Sequence, residues 1–140
     1  MRLMNLSGGN LDLDSSGTLM VQGTLRMNSD TDLTNASSVQ LQNGILEVSG
    51  SMVLDQISFG GKSRIRLLED TEIRSVNALA LETVEFQQNH LRLNSETTDL
   101  TLEHLTLNAP GDNGLDAGLA NLTVNGSVDV QSGRLASSGG

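Results

Sequence analysis

The chain has 140 residues and a formal net charge of −9, because 17 Asp and Glu residues outnumber 8 Lys and Arg residues. This acidic balance, without any basic run, argues against nucleic acid or an anionic membrane surface as a partner. The absence of Cys excludes a disulfide scaffold and a thiolate-bound metal. Phe59 and Phe86 are the only aromatic residues, so we expect a narrow core of stacked aliphatic side chains.

Taken in chain order, the apolar residues form short pairs with one residue between the two members, which is the period-2 pattern of β-strands. Turns rich in Gly, Asn, Asp and Ser separate the pairs, and three pairs make one repeat. The first strand of each repeat is predicted at Leu19/Val21, Val39/Leu41, Ile57/Phe59, Leu79/Leu81, Leu100/Leu102 and Leu122/Val124. The second is predicted at Leu25/Met27, Leu46/Val48, Ile65/Leu67, Val84/Phe86, Leu105/Leu107 and Val128/Val130. The third is predicted at Leu33, Met52/Leu54, Ile73, Leu91/Leu93, Leu115 or Leu119, and Leu135, and a partial earlier turn is visible at Met4/Leu6 and Leu11/Leu13.

The first strands start 18 to 22 residues apart. Three short strands and three turns at this period predict one coil of a parallel β-solenoid, so we predict an all-β fold of about 6–7 coils. We predict a single domain over residues 1–140, in which 1–17 form a partial first coil, 18–135 form six coils and 136–140 form a flexible tail. Coils of irregular length, rather than tightly repeated hexapeptides, favour a right-handed β-helix.

An antiparallel meander or sandwich is the alternative fold, because Asn43-Gly44 and Asn125-Gly126 are strong β-hairpin dipeptides. However, the predicted strands are shorter than usual, and a meander does not explain why the same pattern of apolar pairs and polar turns repeats about every 20 residues. Asn and Gly suit the corners of a solenoid equally well, because both tolerate positive φ. We therefore favour the solenoid.

The middle residues of the second strands support the same alignment. They are Arg26, Glu47, Arg66, Glu85, Thr106 and Asp129. The first four alternate in sign, and side chains on neighbouring strands attract or repel according to their charges. In-register parallel stacking therefore predicts a structural ladder of ion pairs through Arg26, Glu47, Arg66 and Glu85.

The longest irregular segment is residues 108–118, between the second and third strands of one coil, and solenoids commonly accept insertions as loops of this kind. Asp112, Asn113 and Asp116 offer the oxygen ligands that Ca²⁺ takes. Their spacing matches neither an EF-hand loop nor the nonapeptide of calcium-binding β-rolls. We interpret the segment as a solvated turn and expect no cofactor, with Ca²⁺ as the alternative.

A lyase or hydrolase on such a fold would need converging carboxylates together with an Arg or Lys base. The candidate residues on the third strands are Asp12, Asp32, Glu72, Arg74 and Arg92. They are scattered charges, and the two histidines, His90 and His104, fall at non-equivalent positions of different turns. We therefore predict that the chain is not an enzyme.

The two ends of the predicted solenoid are informative because a bare end exposes strand edges and a cross-section of the core. The sequence predicts no capping helix at either end. It also contains no segment that we expect to span a bilayer or to serve as a signal peptide. The chain is therefore predicted either to stack end to end on other copies or to adjoin neighbouring coils of a longer chain.

Three segments carry a resemblance to a known family: residues 8–25, GGNLDLDSSGTLMVQGTL, residues 42–54, QNGILEVSGSMVL, and residues 121–133, NLTVNGSVDVQSG. They resemble the passenger repeats of bacterial autotransporters and of two-partner-secreted, filamentous-haemagglutinin-like adhesins. The resemblance implies a right-handed parallel β-helix that acts as a stalk or an adhesive surface outside the cell. It implies a host-surface receptor or glycan as a partner, and it carries over no catalytic residue.

Two other families remain as alternatives. Bactofilins are short cytoskeletal β-helical proteins that stack end to end without nucleotide, and a likeness to them would imply a cytoplasmic filament. A segment of a phage tailspike or fibre would imply trimerisation.

Overall fold

The computed structural model describes residues 3–6, 10–12, 18–28, 32–34, 38–55, 57–94 and 96–137. Of residues 3–6, 10–12, 18, 19, 32–34 and 38 it describes the backbone alone. These described residues contain strands and turns but no helix, and every strand pairing is parallel. The fold is an all-β parallel β-solenoid of about five turns. The solenoid prediction is confirmed, with about five turns where the sequence predicted 6–7 coils, and the antiparallel alternative is wrong.

The strands stack on three faces of the coil. The first face is built from β3 (Thr18–Val21), β6 (Ser38–Gln42), β8 (Ile57–Gly60), β10 (Leu79–Leu81), β13 (Leu100–Leu102) and β16 (Leu122–Val124). The second face is built from β1 (Leu3–Leu6), β4 (Thr24–Asn28), the first part of β7 (Ile45–Val53), the first part of β9 (Arg64–Arg74), β11 (Thr83–Glu85), β14 (Leu105–Asn108) and β17 (Val128–Ser132). The third face is built from β2 (Asn10–Asp12), β5 (Asp32–Thr34), the second parts of β7 and β9, β12 (His90–Leu93), β15 (Gly114–Asp116) and β18 (Arg134–Ala136).

The register between turns is the one that the apolar pairs predict. On the first face Leu100 stands opposite Leu122, and on the third face Leu91 stands opposite Leu115. The choice between Leu115 and Leu119 is decided by burial, because Leu115 lies in β15 and is fully buried whereas Leu119 is exposed. The hand of the coil stays a prediction.

Two strands are longer than predicted, because β7 and β9 each continue from the second face onto the third. At that corner Val48 is paired with Leu67 but Gly50 is paired with Thr71, so β9 carries extra residues there. Gly50 has a φ of 81°, which a residue without a Cβ adopts readily. The corner is therefore made by a bulge in continuous strands, and not by a separate turn.

The core runs along the axis of the coil and is aliphatic. On the second face Leu25, Leu46 and Ile65 form one fully buried column, and each contacts the equivalent residue of the next turn. Burying one such side chain stabilises the fold by about 1.5–3 kcal/mol. Because each residue of a column packs on its counterparts in adjacent turns, stability is shared between neighbours along the rod.

The corner between the first and second faces shows why an Asn-Gly pair does not make a hairpin here. Asn43 has a φ of 54°, and its side-chain oxygen accepts a hydrogen bond of 2.9 Å from the Lys62 amide one turn later. A Cβ on Gly44 would lie 2.9 Å from the Gly23 carbonyl oxygen. The dipeptide therefore serves as a corner that lets one turn lie close against the next.

The Ser63 hydroxyl secures this same corner from inside. It is buried, lies 2.7 Å from the Gly60 carbonyl oxygen and 3.0 Å from the Leu41 carbonyl oxygen, and accepts a hydrogen bond of 3.3 Å from the Gly44 amide. We expect Ser63→Ala to lower the free energy of unfolding by about 1–3 kcal/mol, because it leaves buried backbone groups without a partner. Urea titration followed by circular dichroism measures this change, and an unaltered midpoint would show that the hydroxyl is dispensable.

Candidate functional site

The second face carries a ladder of ion pairs on its outer side. Arg26 donates to Glu47 Oε2 from Nη2 at 2.8 Å and from Nε at 3.1 Å. Arg66 lies between two carboxylates, with Nη1 3.6 Å from Glu47 Oε1 and Nε 2.6 Å from Glu85 Oε2. Arg64, which sequence reasoning did not single out, adds a contact of 2.6 Å to Glu85 Oε1. The ladder links four successive turns.

Burial within the ladder is uneven, and this decides which contacts matter. The Glu47 side chain is only 8% exposed, whereas the Arg26 and Arg66 side chains that flank it are 40% and 29% exposed. A carboxylate removed from water depends on its partners, while partly exposed guanidinium groups remain hydrated. Glu47 is therefore the central member, and the ladder is a structural element that favours correct register.

A second set of polar contacts joins turns through amides. The side-chain amide of Asn94 donates to Glu72 Oε1 at 2.9 Å, that of Asn121 donates to Asp99 Oδ1 at 2.9 Å, and that of Asn125 donates to Glu103 Oε1 at 3.0 Å. In each pair the carboxylate belongs to one turn and the Asn to the next. We did not predict these pairs from the sequence, although an Asn 22 residues after an acidic residue would have indicated them.

The last described turn leaves its core positions open. Its inward positions are Leu122, Val124, Val128, Val130 and Leu135. They pair in register with Leu100, Leu102, Leu105, Leu107 and Leu115 of the turn before. The earlier residues are 0–1% exposed, whereas Val128, Val130 and Leu135 are 53%, 48% and 45% exposed. Within the described part of the chain, β16, β17 and β18 each pair on one side only. We call this surface the C-terminal end face.

The third face carries a row of charged residues, which we interpreted from the sequence as scattered charges. Glu72 stands in register with Arg92, and Arg92 stands in register with Asp116. Together with Asn94 and Leu119 they line a half-open groove of about 320 Å³. Two of the enzymatic candidates, Glu72 and Arg92, therefore lie side by side.

The other enzymatic candidates do not join this row. Arg74 is engaged in an exposed ion pair with Glu96, outside the groove. The side chains of Asp12 and Asp32 lie outside the described residues.

The segment predicted as a long loop is partly a strand, because β15 occupies Gly114–Asp116. The calcium candidates within it have separate contacts. Asp112 is exposed, the Asn113 amide donates to the Gln88 carbonyl oxygen at 3.0 Å, and Asp116 Oδ1 accepts from the Gly118 amide at 2.9 Å. Among the residues with described side chains, no group of three or more His, Cys, Asp or Glu residues is placed to hold a metal ion.

The two histidines lie apart in the coil. His90 begins β12 on the third face, and its amide donates to Asp70 Oδ1 at 2.9 Å. His104 precedes β14, with Nδ1 3.1 Å from the Ser127 hydroxyl and Nε2 3.8 Å from Glu82 Oε1. The two histidines therefore belong to different local arrangements.

No protein-family model, no curated protein and no solved structure matches the chain. The parallel β-solenoid is thus the part of the family resemblance that the structure supports, and membership of the adhesin families stays a prediction. In the portion of the chain that the structure covers, no helix has the length and apolar character needed to cross a membrane.

Proposed function

We propose that this chain is a non-enzymatic structural rod that associates end to end through its C-terminal end face. One observation carries the proposal. The inward positions of the last turn are continuous with a fully buried core, yet three of them are about half exposed. Full burial of an exposed aliphatic side chain stabilises by about 1.5–3 kcal/mol, so these half-exposed residues would gain roughly half of that each if another coil stacked on them.

The strand edges support the same proposal. An edge strand exposes a row of backbone N–H and C=O groups that readily pair with another strand. At the C-terminal end face the three edges surround an apolar surface, which is a combination typical of contact sites. The outer faces, by contrast, present polar contacts between turns, such as the Arg26–Glu47 ion pair. The sides of the rod are thus suited to solvent and its end to association.

The resemblance to passenger repeats also suggests where the rod is located and what larger protein contains it. We propose that the rod is a stalk or adhesive segment of a bacterial surface or secreted protein. A cytoskeletal filament of the bactofilin kind, which would be cytoplasmic, is the second candidate, because stacking through an open end serves it equally well. Both candidates share the contact described above, so the contact is the first feature to test.

Substitution of Val128 tests the contact. We expect the sedimentation coefficient of the natural chain to rise with protein concentration, and Val128→Lys to abolish this rise, because a charge at an exposed strand edge opposes pairing. Val76→Lys is the matched control, since Val76 is 51% exposed and Val128 is 53% exposed, but Val76 lies outside the end face. Analytical ultracentrifugation measures the effect. A natural chain that stays monomeric at every concentration, or two variants that behave alike, would overturn the proposal.

A further inference from the structure

We propose that the groove on the third face binds a zwitterionic α-amino acid, with the ligand carboxylate on Arg92 and the ligand ammonium on Glu72 or Asp116. We call it the third-face groove, and its lining includes these three side chains together with Asn94 and Leu119. Its volume of about 320 Å³ lies within the range of small-ligand sites. The groove spans three successive turns on the side of the rod, so the inference does not depend on association through the C-terminal end face.

The first observation is that the charges in the groove do not pair with one another. Arg92 lies in register between Glu72 and Asp116. On the second face Arg66 has the same kind of position between two glutamates, and it contacts both of them. The exposed Arg92 side chain, by contrast, makes no ion pair and no hydrogen bond with any described residue. Its guanidinium therefore has all of its N–H donors open to a ligand.

The second observation explains why the two carboxylates do not turn to Arg92. Glu72 Oε1 accepts a hydrogen bond of 2.9 Å from the Asn94 side-chain amide, and Asp116 Oδ1 accepts one of 2.9 Å from the Gly118 backbone amide. The other oxygens, Glu72 Oε2 and Asp116 Oδ2, accept none from the described residues. Each half-buried carboxylate is thus held by one oxygen and open at the other. The groove presents an acceptor, a donor and an acceptor in order along the rod.

Gly118 is the residue that positions the Asp116 carboxylate. It has a φ of 57°, which glycine adopts readily. A Cβ at this position would lie 2.9 Å from the Leu93 carbonyl oxygen of the preceding turn. The glycine therefore lets the corner close against that turn while its amide donates to Asp116.

The charges select the class of ligand. A guanidinium binds a carboxylate through two parallel N–H···O bonds. A ligand with several negative charges would be repelled by Glu72 and Asp116, and a purely cationic ligand would be repelled by Arg92. The net charge of −9 also disfavours an anionic ligand. A carboxylate joined to an ammonium complements both signs at once.

The dimensions of the coil fit an α-amino acid. Both charged groups of the ligand are attached to the same carbon, and stacked strands lie about 4.8 Å apart. The ammonium can therefore contact a carboxylate of an adjacent turn while the ligand carboxylate stays on Arg92. Leu119 adds an apolar side chain that is 58% exposed to the lining of the groove. Small-ligand sites combine apolar contact with a few placed polar groups, so an aliphatic amino acid such as leucine suits the groove.

Titration of the ¹⁵N-labelled natural chain with L-leucine tests the inference by two-dimensional NMR. We expect saturable shifts at the backbone amides of Arg92, Asp116 and Gly118. The matched ligands are 4-methylpentanoate, which is leucine without its ammonium, and 3-methylbutylamine, which is leucine without its carboxylate. Each should bind weaker by about tenfold or more, because it loses one charged partner. Absence of a saturable shift with leucine, or equal binding of leucine and 4-methylpentanoate, would overturn the inference.

Arg92→Gln should abolish the saturable shifts and leave the midpoint of urea unfolding unchanged, because the Arg92 side chain has no contact partner among the described residues to lose. Arg74→Gln is the control, since Arg74 lies on the same face but pairs with Glu96 outside the groove, and it should leave leucine binding unchanged. Leucine binding that survives Arg92→Gln would overturn the assignment of the ligand carboxylate.

A double variant, Glu72→Gln with Asp116→Asn, tests the place of the ligand ammonium. The amide side chains keep an oxygen that accepts from Asn94 and Gly118 but remove both negative charges. We expect this variant to bind leucine weaker by about tenfold and to bind 4-methylpentanoate at least as tightly as the natural chain does. A parallel loss of binding for both ligands would show that the two carboxylates do not contact the ammonium, and it would overturn the inference.

Discussion

Leu102→Asp is expected to abolish the folded state. Leu102 is fully buried and lies in register between Leu81 and Val124, so an aspartate there would hold an unpaired charge inside the stack. The loss of apolar burial adds to this cost, and together they exceed about 5 kcal/mol, which is comparable with the whole stability of a typical domain. Far-ultraviolet circular dichroism should show loss of β structure, and thermal scans should show no cooperative transition.

Thr101→Asp is the control for this prediction, because Thr101 is the neighbouring residue of the same strand but is only half-buried and points to the outer side. Its free energy of unfolding should change by less than about 0.5 kcal/mol. Val124→Asp should give an intermediate loss, since Val124 is only half-buried in the last turn. Equal stability of the Leu102 and Thr101 variants would mean that the assignment of inward and outward residues is wrong.

Arg66→Glu is expected to cause the second-largest loss, about 2–4 kcal/mol in the free energy of unfolding. The change removes the guanidinium that lies between Glu47 and Glu85 and puts a third carboxylate between them. Glu47 is the decisive neighbour, because its side chain is 8% exposed and a buried charge that loses a partner is costly. The remaining partners, Arg26 and Arg64, limit the loss. Equilibrium urea unfolding measures it.

Arg74→Glu provides the comparison for the ladder variant. Arg74 also pairs with a glutamate one turn away, but both partners are largely exposed, and exposed ion pairs contribute about 0–1 kcal/mol. The reversal at position 74 should therefore cost less than about 1 kcal/mol. If the two reversals cost the same, the burial of Glu47 has no energetic consequence and the ladder does not favour the register.

Much of the coil could be predicted from the sequence because each turn repeats one apolar pattern. The alignment of Leu100 with Leu122 follows from that pattern alone, and so does the register that brings Arg26 beside Glu47. The continuous strands β7 and β9 could not be predicted, since they depend on extra residues in β9, between Leu67 and Thr71 and opposite Gly50, that the period does not encode. Turns between strands and bulges within a strand are formed by the same residue types, so the sequence does not distinguish them.

The polar contacts were harder to predict than the core. Arg64 contacts Glu85 although its partners in register are Ile45 and Thr83, so alternation gives no reason to expect the ion pair. The row of Glu72, Arg92 and Asp116 was hidden by the weak third strands, because those that contain Glu72 and Asp116 offer only a single apolar residue to define the register. Side-chain rotamers and corner lengths, and not periodicity, determine these contacts.

Electron microscopy of the negatively stained natural chain, over a range of protein concentration, tests the central claim most directly. About five turns at roughly 4.8 Å per turn give a rod of roughly 25 Å per copy. We expect unbranched filaments whose mean length increases with concentration and whose width stays constant. Particles of one fixed length at every concentration would contradict end-to-end association through the C-terminal end face.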